Sequence, residues 1–236
     1  SGAFYYKHKK EWDGILPDSL REAILCFCLS NVVRDLRGQS KEPRSMLVNM
    51  SRFIHVQKVI TEQIAEWFEE LFNDIRINFN DDSRKNLHLP LYVELNSIWE
   101  KHFSQVNDVT FERVSQKASL LTALEKIEVK MVNGSKQSAS LNYKENPSLR
   151  VIAVGGLALS RGLTLEGLMV SYFYRNTATF DVLMQMGRWF GYRRGYEDLF
   201  QIWTSHTSAL WYAAVAKAST EMKNDIREMF DQHLTH

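Results

Sequence analysis

The sequence predicts a three-layer α/β domain with a mostly parallel sheet of five or six strands and one helical insertion. Two observations predict it. Beside Ile127–Val132, a strand whose apolar residues alternate with Glu128 and Lys130, the runs Ser45–Met50, Val151–Val154 and Met169–Tyr174 are of strand length and mostly apolar. That pattern belongs to strands buried on both faces. Segments with apolar residues three or four apart alternate with these runs, as helices do when they cover a parallel sheet.

The elements follow in chain order. Residues 1–14 are a polar lead-in. Pro17-Asp18-Ser19 opens a helix, with Ser19 and Glu22 spaced as a capping box and Leu20, Ala23, Ile24 and Phe27 on one face. Gly38 after Arg37 stops it. The run at 45–50 is the first strand. Val56, Ile60, Ile64, Trp67, Phe68 and Leu71 then mark a long amphipathic helix. Residues 78–122 are more polar, with helical stretches around Ile98 and Leu121, and read as a lid-like helical insertion. Ile127–Val132 is a strand ending in an Asn133-Gly134 turn. Val151–Val154, Met169–Tyr174 and Leu199–Trp203 are further strands. The body of the domain is 15–205, and 206–236 forms a helical tail.

Composition excludes several classes. Lys and Arg number 29 against 28 for Asp and Glu, a net charge of +1, so no global field draws in nucleic acid and any basic surface is local. Cys26 and Cys28 lie two apart, about 200° around a helix, a poor arrangement for a shared metal or disulfide. A reducing, cytoplasmic interior is the expected home. No apolar run approaches the roughly 18 residues of a membrane span. The histidines form no H-x-x-x-H or H-x-H pair, and no metal site is expected.

The chemistry concentrates between Gly155 and Ser205. A strand ends in GGLALSRGLTLEGL, where Ser160 and Arg161 bring a hydroxyl and a cation beside Gly162, which lets backbone approach a ligand. Loops at the C-terminal edge of a parallel sheet are where such ligands bind. After the next strand, FDVLMQMGRWFGYRRG supplies Gln185, Arg188, Arg193 and Arg194 among glycines. An arginine so placed suits transferring phosphate charge. Trp189, Phe190, Tyr192 and Tyr196 read as core aromatics rather than base-stacking platforms.

These blocks carry a resemblance. LALSRGLTLEGLMVSYF is similar to motif V of superfamily-two helicases, and VLMQMGRWFGYR resembles motif VI, in the same order and at similar separation. With LPDSLREAILCFCLSNVVRDLRG and SMLVNMSR, the pattern over about residues 15 to 205 resembles the Z-one domain, a family labelled as an endonuclease but patterned like helicase carboxyl-terminal halves. The resemblance implies a RecA-like fold and roles for matching positions. Ser160 and Arg161 would meet the nucleic-acid backbone, and Gly162 would hold the tight turn. Arg188 would be an arginine finger oriented by Gln185, and Arg193 (or Arg194) a second one. Thr164 stands where the motif has aspartate, with Glu166 as a substitute on the nucleotide. ATP and Mg2+ would be shared with a first RecA-like domain. No G-x-x-x-x-G-K-[ST] loop occurs in the chain, so the expectation is a fragment that turns over no ATP alone.

Two other readings use different residues. Glu128-Val129-Lys130 formally matches the Glu-x-Lys end of a restriction-type active site, which with Asp108 would bind magnesium for DNA cleavage. The threonine at 164 also fits a non-catalytic DNA-binding module that kept the fold and lost its ATPase.

Overall fold

The computed structural model describes residues 14–51, 53–132, 141–156, 165–173 and 195–206, with isolated helical positions of the tail. Five parallel strands form one sheet: β1 (Arg44–Asn49), β2 (Ile127–Val132), β3 (Arg150–Gly155), β4 (Leu168–Phe173) and β5 (Gln201–Thr204), in the order β2-β3-β1-β4-β5. Every position of β1, β3 and β4 is buried, so both faces of the central sheet are covered. Met46, Val48, Ile152, Val154, Val170 and Tyr172 enter one apolar cluster. Leu47, Val151, Ala153, Leu168 and Phe173 enter another, with Leu141, Tyr143, Leu149 and Leu165. Two cores separated by a parallel sheet is the α/β three-layer plan, consistent with a RecA-like fold. A register shift pairs Ser45 with Leu168 but Met46 with Val170, which is how Met169 and Val170 both reach the first cluster.

The first face carries α1 (Asp18–Leu36) and α2 (Ile54–Asn78). α2 keeps its expected stripe of Val56, Ile60, Ile64, Phe68 and Leu71, with Trp67 half-buried. α1 departs from expectation, since nearly every residue from Ala23 to Arg34 is buried. A helix apolar all round belongs inside. Outside it lie α3 (Pro90–His102), α4 (Phe111–Val114) and α5 (Lys117–Leu124), all packed on α1. The insertion at 78–122 is thus helical as expected, but no lid. Leu95, Ile98, Phe103, Val114 and Leu120 belong to the same core as α1 and the sheet, because these apolar side chains recur on one face of each short helix.

The capping box is not formed. Pro17 is the N-cap, so Ser19 sits inside the first turn, where its hydroxyl pairs with the Tyr172 hydroxyl at 2.9 Å. Glu22 instead accepts from Lys101 Nζ at 2.7 Å and His102 Nε2 at 2.8 Å, joining α1 to the end of α3. At the other end Gly38 takes φ +79° and stops the helix as predicted. The strand expected at 199–203 begins later, because Glu197–Leu199 forms a 3-10 turn before β5. Cys26 and Cys28 are buried and free.

The N-terminal edge of the sheet holds two buried cations. Arg44 and Arg150, both fully buried, share Asp35. Arg44 donates to Asp35 Oδ1 at 2.7 Å and to the carbonyls of Asn31 and Gln39 at 2.6 and 2.8 Å. Arg150 donates to both Asp35 oxygens at 2.7 and 2.8 Å and to the Ala123 carbonyl at 3.0 Å. These carbonyls lie toward the C-terminal ends of α1 and α5, where helix dipoles favour cations. Burial pulls the Arg44 guanidinium down to about 10, against the opposing hydrogen bond to Asp35, and it stays charged at neutral pH.

Candidate functional site

In a parallel sheet all C-terminal strand ends share one edge, and here the centre of that edge is β1. Its neighbours are β3 and β4. The glycine-rich block begins at the end of β3, at buried Gly155 and Gly156. The arginine block lies in the connection that leaves β4 after Phe173. The two blocks therefore depart on either side of β1, from one edge. The connection from β1 runs two places one way, to β2, whereas β4 leads the other way, to β5. Neighbouring strands whose connections diverge form a topological switch point, the ordinary location of ligands in open α/β sheets.

Of the residues expected at the site, Ser160, Arg161, Gly162, Thr164, Gln185, Arg188 and Arg193 lie outside the described residues, as do Trp189, Phe190, Tyr192, Arg194 and the Asn133-Gly134 turn. Glu166 is described, and its place corrects the expectation. It stands exposed in the turn before β4, where its carbonyl accepts from Ser45 Oγ at 2.7 Å. That is the N-terminal edge, opposite the strand ends from which both blocks depart. Substituting for an aspartate on the nucleotide requires the other edge. Tyr196 is buried, with the Arg34 guanidinium 4.2 Å from its ring centroid, in keeping with packing rather than base stacking.

Sequence reasoning passed over the exit from β1. Asn49, Ser51 and Gln57 are all buried there. Gln57 Nε2 donates to the Ser51 carbonyl at 2.7 Å, and Ser51 Oγ accepts from the Phe53 amide at 3.2 Å. Asn49 Oδ1 and Gln57 Oε1 have no hydrogen-bond partner among the described residues. Phe53 is the N-cap of α2, with no side-chain cap among the described residues, and this 25-residue helix begins at the same edge. The signal was present: Asn-Met-Ser directly after an apolar strand is polar where the strand leaves the sheet.

The pieces of the alternative nuclease site do not converge on a metal-binding group. Lys130 Nζ pairs with Glu128 Oε2 at 2.6 Å on β2, an edge strand. Asp108 is gripped by Arg37, Nε to Oδ2 at 2.8 Å and NH2 to Oδ1 at 2.7 Å. Among the described residues no group of three or more His, Cys, Asp or Glu could hold a metal ion. These residues therefore do not fit a resident Mg2+. Among them, too, no helix is long and apolar enough to cross a membrane.

Compared with known proteins, the sequence model described as the Z1 domain matches residues 19–236. No curated protein and no solved structure matches the chain.

Proposed function

The chain belongs to the Z1 domain family, and from that premise we propose that it is the second, carboxyl-terminal half of a helicase-like, nucleic-acid-dependent ATPase. One observation carries the reading: the glycine-rich and arginine-rich blocks leave strands on either side of β1, at one sheet edge and next to the switch point. Two distant segments of sequence thereby gain access to one ligand.

In this reading Ser160 and Arg161 contact nucleic-acid backbone, where phosphate contacts position the protein without reading bases. Gly162 keeps the turn tight, and Thr164 lies toward the nucleotide. Arg188 faces phosphate charge, Gln185 orients it, and Arg193 provides a second guanidinium. The described residues offer no acidic cluster for Mg2+ and the chain has no phosphate-binding loop. Holding ATP and its metal thus falls to a P-loop domain against which this edge closes. DNA is the expected nucleic acid.

The test is hydrolysis. The isolated chain should release no phosphate from ATP, with or without DNA. Together with its P-loop domain it should hydrolyse ATP faster when DNA is added, and Arg188→Ala should lower kcat by about a thousandfold. Robust turnover by the isolated chain, or indifference of the complete ATPase to Arg188→Ala, would refute the proposal.

A further inference from the structure

The arginine block runs to Gly195 in the connection between β4 and β5, and side chains from α1 and beyond hold the chain there. Three side chains from the last turn of α1 and the residues just after it grip residues 195–198. Gln39 Nε2 donates to the Gly195 carbonyl at 3.1 Å, while its Oε1 accepts from Arg34 Nε at 2.7 Å. Arg34 stacks on Tyr196. Arg37 donates to Asp198 through NH1 at 3.0 Å and NH2 at 2.5 Å.

Arg37 also has a second task. Its Nε and NH2 bind Asp108, in the loop between α3 and α4. One guanidinium thus makes two bidentate pairs, and its NH2 serves both. Bidentate pairs fix orientation as well as distance, so the position that Arg37 offers Asp198 depends on what Asp108 does. The two arms differ in access. The Asp108 side chain is 54% exposed and that of Asp198 25%. A ligand seated on the outer helical layer reaches Asp108 first. The Arg37 hydrogen bonds hold the Asp108 carboxyl below its usual range, and the bonds to Asp198 and Asp108 raise the guanidinium above its own. The charges are therefore present across the physiological range.

We propose that Arg37 is a positioning residue that couples the outer helical layer, through Asp108, to the end of the arginine-bearing connection, through Asp198, and so regulates the proposed ATPase site. The regulatory half of this inference rests on the proposed function; the coupling does not. Arg37 is suited to the part because it caps a helix buried on every side, so strain at one carboxylate passes to the other rather than into movement of α1.

Hydrogen exchange tests the coupling on this chain. Asp108→Asn, a mild change at an exposed position, should speed exchange of the 195–200 amides by about threefold or more. The effect should vanish in an Arg37→Ala background, which a general loss of stability would not produce. Unchanged exchange at 195–200, or an effect that survives Arg37→Ala, overturns the coupling. Kinetics test the regulation in the P-loop-containing protein. Asp108→Asn should shift kcat with the KM for ATP held within about twofold. If Arg188→Ala abolishes hydrolysis while Asp108→Asn leaves kcat unchanged, the regulatory inference fails and the function stands. If Arg188→Ala is silent, the function itself fails, and the exchange result still decides the coupling.

Discussion

Replacing Asp35 should destabilise this domain more than any other single charge change among the described residues. Its carboxylate receives three hydrogen bonds of 2.7–2.8 Å from Arg44 and Arg150, and both arginine side chains are fully buried. Asp35→Asn removes the only anion among the described residues that these two cations bind, and its amide returns one acceptor for three donors. Removing one partner of a buried pair typically costs about 3–5 kcal/mol. Sharing between two arginines puts this case at the upper end. Against a total stability of roughly 5–15 kcal/mol for a domain, the variant should lose a third or more of its stability. Its Tm should fall by about 10 °C, at roughly 2–4 °C per kcal/mol for a chain of this size. Urea unfolding followed by circular dichroism should show a lower midpoint at unchanged slope. A triple change of Asp35→Leu, Arg44→Met and Arg150→Met should recover much of the loss, since apolar replacement of a whole buried ion cluster is often neutral. An Asp35→Asn protein within about 1 kcal/mol of the parent would show that the carbonyls of Asn31, Gln39 and Ala123 suffice, and the charge argument would be wrong.

Gly167 offers a sharper steric test. It takes φ +64°, and a Cβ there would lie 1.8 Å from the Pro43 carbonyl oxygen. Gly167→Ala combines about 1–2 kcal/mol of left-handed backbone cost with about 1–3 kcal/mol of overpacking, so thermal unfolding should show a loss near 3 kcal/mol; a parental Tm would contradict the geometry. At low pH the Glu22 cluster should matter. Burial pushes its carboxyl up, but hydrogen bonds from Lys101 and His102 outweigh it and hold the pKa below the ordinary 4.5. A depressed carboxyl contributes stability that is present above its unfolded value and lost as pH falls through the folded one. Glu22→Gln should therefore narrow the gap to the parent as the pH drops below about 4, measured as Tm against pH. A gap that widens on acidification would reverse the assignment.

Much of the architecture could be read from periodicity, and the exceptions have physical causes. β1, β3 and β4 were legible because strands buried on both faces are mostly apolar, and β2 because apolar residues alternate with Glu128 and Lys130 along a partly exposed edge strand. α2 was legible because one face meets solvent and the other does not. α1 was misread as one-faced because its apolar residues were assigned to a single partner, whereas the structure gives it two. The segment at 78–122 looked too polar for a core layer, since each short helix contributes only a few apolar side chains. Of the candidate site, the sequence pointed to the two blocks but also to Glu166, four residues after Gly162. Only the strand direction reveals that those few residues carry the chain to the opposite edge.

Local chemistry belongs to the sequence itself: where strands and helices form, where Gly38 ends a helix, and which segment has the glycines, hydroxyls and arginines that suit phosphate. Tertiary structure decided the pairings across long separations. Arg44, Arg150 and Asp35 come from three segments, as do Arg37, Asp108 and Asp198, and nothing in a linear pattern records that one carboxylate will serve two buried cations. Sheet order is of the same kind. β1 stands between β3 and β4 because strand pairing follows the packing of whole layers, which depends on every side chain at once and on none of them alone.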